Sequence, residues 1–448
     1  MRSAETILNI IRTRGQRGLP VKDAYRLLYQ RDLYLRAYGK LSRNQGAMTP
    51  GVTPETVDGM SLEKLDAIIH ALRDERYRWT PVRRTYVPKK NGKQRPLGLP
   101  TWSDKLLQEV IRSILEAYYE PQFSARSHGF RPKCGCHTAL RDVMHHGRAT
   151  KWFIEGDLCA CFDRIDHSVL LSMRQEGFPD NRFLRLMHGL LKAGYLEEWT
   201  LNATHSGVPQ GGVVSLILSN IVLDRLATYV ETHLIPAYTR GHRRRTNPPY
   251  VGLTKQASEA RKQGHWHRAR TLRHQAQPLP SRDPYAPNFR RLWDVRYADD
   301  MLLGLTGTKR EAMAIKHALA TFLRHALPLE LSDEKPLVTP ARDDHARFLG
   351  YEVHVLHENS KHDHRRQRCI NGSMGLRVPK QVRQAKRAKS LRRGKPKPLP
   401  QRTIDDASSI VAQYQAAWRG IVQYYRLAYN LHVLQSLKHT MEVSLVKT

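Results

Sequence analysis

Two adjacent aspartates, Asp299 and Asp300, stand between two apolar runs in the segment RYADD at residues 296–300. Successive residues of a strand point to opposite faces of a sheet, so both carboxylates cannot face one side of a straight strand. They can share an edge at the tip of a hairpin between strands Trp293–Ala298 and Met301–Leu305, because Asp tolerates turn geometry. Fixed carboxylates there would suit Mg²⁺, which binds one or two carboxylates together with substrate phosphates. The alternative is a surface turn without chemistry.

A third carboxylate, Asp157, follows the apolar strand Trp152–Ile154 and precedes a turn and a helix that begins near His167. Ligands commonly bind at the carboxyl ends of strands in open sheets. The helix after Asp157 is compatible with a mixed sheet that carries helices on one face. If the two strand ends are neighbours, three carboxylates can hold two Mg²⁺ ions about 4 Å apart, which suits phosphoryl transfer.

Two further segments carry groups that suit a nucleotide. The stretch 82–101 alternates around Asn91-Gly92, a strong hairpin signal, and its cations suit phosphates: Lys89, Lys90, Lys93 and Arg95. A basic surface hairpin without a ligand fits the same pattern. The glycine-rich segment GVPQGG presents Gln210 before a helix, although a buried helix with a tight first turn would look the same.

The charge of the chain favours a polyanionic partner. The 448 residues contain 74 Lys and Arg against 41 Asp and Glu, a formal net charge of +33. Nucleic acid fits a charge of that sign and size. No apolar run reaches membrane-spanning length and no signal peptide precedes the first helix, so we expect no membrane partner and no secretion.

The cysteines do not predict a zinc site. Five cysteines form two C-x-C pairs and one single residue, an odd count that fits a reducing compartment: Cys134, Cys136, Cys159, Cys161 and Cys369. The C-x-C spacing differs from the C-x₂-C spacing of zinc knuckles. The histidines at 354–364 resemble a polar loop, so no zinc is expected.

The remaining pattern divides into helical, inserted and basic regions. Helical periodicity covers 5–13, 21–41 and 61–77, the last beginning at a Ser61 N-cap, and a further helix is expected after a Ser103 cap. Residues 236–291 are polar, basic and rich in proline, with one helix expected at 255–275. Two short strands are expected at 335–340 and 347–356.

The last region of the chain combines cations with a helical core pattern. Residues 376–402 contain no acid, which favours contact with nucleic acid over a solvated linker. Core residues then recur at helical spacing: Ile410, Tyr414, Trp418, Ile421, Val422 and Tyr425. The predicted RNA contacts are the arginines and lysines of the basic segments and of this helix: Arg243, Arg244, Arg245, Lys386, Arg387, Arg392, Arg393, Arg419 and Arg426.

Six segments resemble, in order, the successive blocks of a reverse transcriptase over roughly residues 80–355: RPLGLPTWSDKLLQ, SHGFRPKCGCHTAL, FIEGDLCACFDRIDH, GVPQGGVVSLILSN, RYADD and FLGY. The insertion LPSRDPYAPNFRRL and the segment from about 376 are similar to group II intron-encoded reverse transcriptases with a maturase region. Where that family has Ser-Pro after the two glycines, this chain has Ser215-Leu216. The sequence ends at SLVKT, so DNA cleavage is not assigned.

The resemblance implies a role for each matching residue. Asp157 and Asp299 would ligate both Mg²⁺ ions and Asp300 would complete the acidic site. Phe162 would exclude a 2′-hydroxyl. The other nucleotide contacts would be Lys93 and Arg95 on the triphosphate, Gln210 in the nucleotide pocket and Lys335 near the leaving pyrophosphate. The primer end would meet Phe348, Leu349 and Gly350.

The fold implied by the resemblance is α+β, a right-hand polymerase with an α/β palm, helical and β-hairpin fingers and an α-helical thumb. The expected domains are an N-terminal helical extension of the fingers (1–80), fingers (81–155), the first palm segment (156–235), a basic insertion (236–291), the second palm segment with primer-grip strands (292–360), and a basic linker with the helical thumb and maturase region (361–448).

The implied function is an RNA-directed DNA polymerase that binds its group II intron RNA, assists splicing, and copies the intron from dNTPs at a DNA target by target-primed reverse transcription in retrohoming. Its partners would include an RNA/DNA template-primer. One alternative is a splicing-only maturase, which the presence of every expected site residue disfavours. Another is a reverse transcriptase of a defence- or CRISPR-linked lineage, which the insertion and the basic tail disfavour.

Overall fold

The computed structural model describes residues 3–88, 92, 94–159, 161–198, 200–204, 206–208, 211–332, 338–362, 364 and 368–448. The α-helices are α1 Ala4–Gln16, α2 Ala24–Leu27, α3 Arg31–Leu41, α4 Leu62–Arg73, α5 Trp102–Tyr119, α6 Cys136–His146, α7 Cys161–Arg164, α8 His167–Gly177, α9 Asn181–Lys192, α10 Ser215–Tyr229, α11 Ile235–Tyr238, α12 Pro248–Lys262, α13 Trp266–Ala276, α14 Lys309–Ala326, α15 Lys380–Ala388, α16 Ala407–Tyr424 and α17 Gln435–Lys447. No helix in these ranges is both long and apolar enough to span a membrane.

The strands are β1 Val82–Pro88, β2 Gln94–Leu99, β3 Trp152–Asp157, β4 Tyr195–Glu197, β5 Thr200–Asn202, β6 Arg291–Tyr297, β7 Asp300–Thr306, β8 Val338–Pro340, β9 Ala346–Phe348, β10 Tyr351–Val355, β11 Met374–Arg377, β12 Leu391–Arg392 and β13 Lys395–Pro396. They form sheets in the orders β2-β1-β4-β5, β6-β7-β3-β8, β11-β10-β9 and β12-β13.

The sheet β6-β7-β3-β8 is the centre of the molecule, and each of its neighbouring pairs is antiparallel. The prediction of a mixed sheet with helices on one face was therefore wrong. One face carries Phe153 and Leu302 in a core shared with α6, β10 and α17. The other face carries Ile154 and Leu303 in a core shared with α5, α10 and α14. Because both faces are covered, these strands read as continuous apolar runs.

The N-terminal helices confirm the helical periodicity, with two changes. The predicted helix at 21–41 is divided into α2 and α3 by the extended residue Gln30. The Ser61 cap is confirmed, since its side chain accepts a hydrogen bond from the Lys64 amide. The predicted Ser103 cap was wrong: α5 begins after Thr101, whose hydroxyl accepts from the Asp104 amide.

The strands β1 and β2 confirm the predicted hairpin, with Pro88 opposite Gln94. Of the turn residues, Lys89, Lys90, Asn91 and Lys93 lie outside the described residues. The helix beginning at His167 is confirmed as α8.

The basic insertion packs as a helical pair. The single helix predicted at 255–275 is two helices, α12 and α13, which end and begin around Gly264. Gly264 has φ of +79°, a conformation that breaks a helix and that glycine adopts without a side-chain penalty.

The segment 347–356 was predicted as one strand, and this was wrong. It forms the hairpin β9-β10, with Leu349 and Gly350 as a two-residue turn in which both φ angles are positive, +47° and +73°. That backbone matches the right-handed twist of the flanking strands. The predicted C-terminal helical pattern is confirmed as α16, where Ile410 and Tyr414 are buried and Trp418 and Ile421 are partly buried.

Candidate active site

The three predicted carboxylates lie at one end of the central sheet. Asp157 is the last residue of β3 and stands directly opposite Asp300, the first residue of β7. Opposed residues of an antiparallel pair have Cα atoms about 4.5–5.5 Å apart, and their side chains share a face. Asp299 is the second residue of the two-residue turn Ala298–Asp299 between β6 and β7. The predicted hairpin is confirmed, with the correction that Asp300 is already within a strand.

The turn that carries Asp299 has an unusual backbone and a tight support. Ala298 has φ of +54°, a region that L-residues seldom occupy. Gly129 lies directly against it: a Cβ atom added to Gly129 would lie 2.2 Å from the Ala298 nitrogen. The absence of a side chain at Gly129 therefore lets the two backbones approach.

Arg296 holds the same turn from beneath. Its guanidinium is fully buried and donates to the Ala298 carbonyl at 3.0 Å and to the Ser127 hydroxyl at 2.7 Å. It also lies 3.4 Å from the Asn220 side-chain oxygen, while the Asn220 amide donates to the Gly129 carbonyl at 2.9 Å. Side chains from three separate segments therefore fix the position of the hairpin tip.

A buried arginine is costly, and its surroundings explain why it stays charged. Burial lowers the pKa of Arg296 to about 10, and the nearby Asp224 carboxylate opposes that shift. The guanidinium thus remains protonated at neutral pH. The sequence analysis assigned no role to Arg296, although its spacing carried a signal. Arg296 and Asp294 are two residues apart in β6, so both point to the same buried face, which is the face opposite to the one that carries Asp300. Asp294 is paired with Arg126 at 2.7 Å.

The charges of Asp299 and Asp300 contribute to the pKa shifts of two neighbouring side chains. Burial raises the pKa of the Cys161 thiol to about 12, and the charge of Asp299 adds to the rise. Burial also raises the pKa of the Tyr424 hydroxyl to about 12, with Asp300 among the smaller contributors. The thiol next to the site is therefore protonated and neutral, so it is not a nucleophile at neutral pH.

The three carboxylates are partly buried at the edge of the sheet. Among the described residues, no group of three or more His, Cys, Asp and Glu side chains is gathered to hold a metal ion. A pair such as Asp157 and Asp300, with Asp299 beside it, still fits Mg²⁺, because this ion keeps several waters and binds through one or two carboxylates plus substrate phosphates.

Phe162 lies in α7, just beyond the end of β3. Its ring is partly buried against the core, and its carbonyl accepts a hydrogen bond from the Val208 amide at 2.7 Å. The glycine-rich turn is thereby tied to α7. On its other side the turn meets β2, because a Cβ atom added to Gly211 would lie 2.6 Å from the Gly98 carbonyl oxygen. Phe162, the glycine-rich turn and the hairpin strand of Arg95 are therefore connected.

Of the remaining predicted nucleotide contacts, the described residues include Arg95. Arg95 lies exposed on β2 opposite Val87. The predicted contacts Lys93, Gln210 and Lys335 lie outside the described residues.

The predicted primer-grip residues form the β9-β10 turn, which is docked on α16. Tyr424 donates its hydroxyl to the Leu349 carbonyl at 2.7 Å, and Tyr425 donates to the Gly350 carbonyl at 3.2 Å. Phe348 is buried in the core. The C-terminal helix thus positions this turn, a link that motif spacing did not reveal.

The predicted RNA-contacting cations are spread over several surfaces. Arg245 is paired with Asp283 at 2.6 Å, whereas Arg243 is exposed and Arg244 is half-buried. Arg393 lies with Gly394 in the turn between β12 and β13. The exposed members of the C-terminal set are Lys386, Arg387, Arg392, Arg393, Arg419 and Arg426.

Two family models match the chain. Residues 87–242 match the reverse transcriptase (RNA-dependent DNA polymerase) model, and residues 377–448 match the type II intron maturase model. The first match includes Asp157 and ends before the RYADD hairpin.

Curated relatives match over most of the chain. The group II intron-encoded protein LtrA of Lactococcus lactis subsp. cremoris is 38% identical over 95% of this chain and 74% of the relative. A putative COX1/OXI3 intron 1 protein of Saccharomyces cerevisiae is 32% identical over 89% of this chain and 49% of that protein. A solved Cas6-RT-Cas1–Cas2 complex matches at a TM-score of 0.35 and 14% identity, covering 66% of this chain and 42% of the other, which is too distant to carry an argument.

One family match indicates a reverse transcriptase and the other a maturase region, and the alignment to LtrA covers both segments of the chain. The protein is an RNA-directed DNA polymerase with a maturase region. The chain belongs to the group II intron-encoded reverse transcriptases and maturases.

Proposed function

We propose that DNA synthesis takes place at the edge where Asp157 faces Asp300 and the Ala298–Asp299 turn lies alongside. The observation that supports this proposal is the register of β3 with β7, which aligns the two strand-borne carboxylates on one face. The fold is a right hand, in which residues 156–235 and 292–360 form the palm. Residues 1–80 and 81–155 form the fingers.

Each residue near this edge has a separate task. Asp157 and Asp299 hold two Mg²⁺ ions, with Asp300 completing the charge of the site. When bound, the metal pair lowers the pKa of the primer 3′-hydroxyl and stabilises the charge on the entering and leaving oxygens. Arg95, with Lys93, binds the triphosphate, Gln210 lines the nucleotide pocket, and Lys335 lies near the leaving pyrophosphate.

The primer end rests on the β9-β10 turn, which includes Phe348, Leu349 and Gly350. Because Tyr424, the last residue of α16, and Tyr425, which follows it, donate to the two carbonyls of this turn, the C-terminal region holds the turn in position. The helical region 361–448 is then both the thumb and the maturase surface.

The biological substrate is the group II intron RNA that encodes the protein. The exposed basic surfaces of this chain, whose formal net charge is +33, bind that RNA and assist its splicing. The same chain copies the intron at a DNA target by target-primed reverse transcription in retrohoming. The protein then acts in the bacterial cytoplasm or an organellar matrix, where the intron is transcribed.

Purification of the chain with its bound RNA tests this proposal. We expect the purified chain to extend an oligo(dT) primer on a poly(rA) template with Mg²⁺ and dTTP, and we expect sequencing of the bound RNA to return a group II intron. Bound intron RNA without primer extension would assign the chain to splicing alone. Primer extension with no intron among the bound RNA would contradict the maturase proposal.

Phe162→Val is expected to weaken discrimination against ribonucleotides about 10- to 100-fold, because a steric contact of this kind contributes roughly 1–3 kcal/mol to selectivity. The measurement is the ratio of kcat/KM for dTTP and UTP in primer extension. Phe322→Val is the matched control, since this partly buried ring on α14 stacks on Tyr229 at 4.1 Å between centroids. Unchanged selectivity in Phe162→Val would remove Phe162 from the sugar-binding site.

A further inference from the structure

A cavity of about 610 Å³ lies at the end of the central sheet opposite to the carboxylates. It opens where Arg291, the first residue of β6, stands opposite Thr306, the last residue of β7. Six residue steps along β7 separate Thr306 from Asp300, which corresponds to about 20 Å at ~3.3 Å per residue. The cavity is therefore separate from the candidate active site.

The lining of this cavity is strongly cationic. Among the described residues, its charged and titratable members are six arginines and three histidines, with no Asp or Glu: Arg126, Arg148, Arg243, Arg244, Arg282, Arg291, His145, His146 and His242. Of the six arginines, only Arg126 forms an ion pair with another described residue, namely Asp294. Like charges brought together without counter-charges repel each other, and an anion in the cavity would relieve that repulsion.

Several of these cations are held in fixed positions. Arg244 donates to the Ala149 carbonyl at 3.2 Å, and Arg282 donates to the Arg244 carbonyl at 3.3 Å. The ring of Phe289 lies near both the Arg244 and the Arg291 guanidinium groups, at 5.2 Å and 5.5 Å from its centroid. Burial lowers the pKa of Arg244, and the charge of the Asp283 carboxylate opposes that shift only in part.

We propose that this cavity binds a phosphodiester of RNA together with its adjoining nucleotide. The guanidinium forks of Arg243 and Arg291 suit phosphate oxygens, which they can bind in pairs. Phe289 supplies an apolar surface for the sugar or base, and a volume of about 610 Å³ accommodates a nucleotide. The Thr239 hydroxyl accepts from the Leu292 amide at 3.2 Å and donates to no other described residue, so its proton can meet a 2′-hydroxyl.

The position of the cavity favours resident RNA over the template-primer. Its walls come from the basic insertion on one side and from β6, β7, the end of α6 with the loop after it, and Arg126 on the other. RNA held there can stay bound while a primer is extended at the far end of the sheet. This inference rests on the proposed binding of RNA by the chain.

The test compares two triple variants of the full-length protein. Arg148→Gln, Arg243→Gln and Arg291→Gln together remove three exposed cations from the cavity. The control triple variant removes the same charge from α14 through Arg310→Gln, Lys316→Gln and Arg324→Gln. The probes are a fluorescein-labelled 20-nucleotide RNA and a DNA oligonucleotide of the same sequence, titrated at several salt concentrations.

We expect the cavity variant to bind the RNA about tenfold more weakly at ~0.15 M salt and to lose about one unit of salt-dependence slope, as when a phosphate contact is removed. The DNA affinity should change less, and the control should stay within about twofold for both probes.

Three results would overturn the inference. A loss no larger than that of the control would exclude a dedicated site, and equal losses for RNA and DNA would exclude the RNA assignment. Failure of the unmodified chain to bind the RNA at all would overturn the proposed RNA binding as well as the cavity. If the triple variant unfolds at a lower temperature than the control, the single variant Arg243→Gln, whose residue is exposed, gives the same comparison.

Discussion

Asp299→Asn is expected to lower RNA-templated DNA synthesis at least about 1000-fold, while RNA affinity stays within about twofold of the unmodified chain. The amide keeps the size of the carboxylate but removes the charge that would hold the metal pair. Metal stabilisation of the transition state contributes several kcal/mol, and ~4 kcal/mol corresponds to a factor of about 1000. The measurement is primer extension on poly(rA) with Mg²⁺, alongside RNA binding by fluorescence anisotropy.

A matched control is Asp343→Asn, which removes one carboxylate from an exposed position outside the strands of the central sheet. Primer extension by this variant should be normal. Near-normal synthesis by Asp299→Asn would contradict the assignment of the site, and a parallel loss of RNA binding would point to misfolding instead.

The same assay ranks the three carboxylates. If Asp157 and Asp299 are the shared metal ligands, Asp157→Asn should be as damaging as Asp299→Asn, and Asp300→Asn should retain more activity. The register makes this comparison informative, because it is Asp300 that stands opposite Asp157. A reversed ranking, with Asp300→Asn inactive and Asp299→Asn active, would transfer the ligand role to Asp300.

The candidate site could be predicted from the sequence wherever local rules decided the structure. The Asp299–Asp300 hairpin and the strand end at Asp157 were both visible as apolar runs interrupted by acids. The first residue of β7 could not be predicted from the sequence. An Asp that begins a strand and an Asp that lies in the preceding turn give the same local sequence pattern. Only the pairing with β3 distinguishes them.

Long-range contacts account for the other differences. Arg296 belongs to the RYADD segment, yet its partners Ser127 and Asn220 lie 169 and 76 residues away, so no local pattern reports the contact. The Leu349–Gly350 turn was predicted within a strand, although a positive φ at Leu349 breaks the strand there. Hydrogen bonds from Tyr424 and Tyr425, far along the chain, stabilise the turn.

The net charge of the chain predicted the correct class of partner, nucleic acid, but it did not indicate which arginines act together. Arg243, Arg244 and Arg245 are consecutive and were predicted to share a role. The structure separates them: Arg245 is neutralised by Asp283, whereas the other two line the cationic cavity. Arg148 lies outside the basic segments, and Arg291 is the last residue of the insertion, yet both line the same cavity. Tertiary packing, rather than local charge density, decides which cations converge.

Gly129→Ala is expected to reduce DNA synthesis by about 100-fold or more although no catalytic group is changed. The added methyl carbon would lie 2.2 Å from the Ala298 nitrogen and 2.9 Å from its Cα atom. Both are backbone atoms, so no side-chain rotation can relieve the contact and the turn itself must move. A displacement of about 1 Å at a reacting centre can cost roughly 100-fold in rate.

The stability of Gly129→Ala should fall less dramatically than its activity. Overpacking of this kind costs about 1–3 kcal/mol in the free energy of unfolding, so the variant should remain folded at low temperature and should still bind RNA. Gly420→Ala in α16 is the matched control, because its Cβ atom would meet nothing within 4 Å. That variant should keep full activity and gain up to about 1 kcal/mol of helix stability. If Gly129→Ala kept normal primer extension while losing only stability, the hairpin tip would be free to shift without consequence. Catalysis would then not depend on the exact position of the carboxylates, which would contradict a site that holds two metal ions.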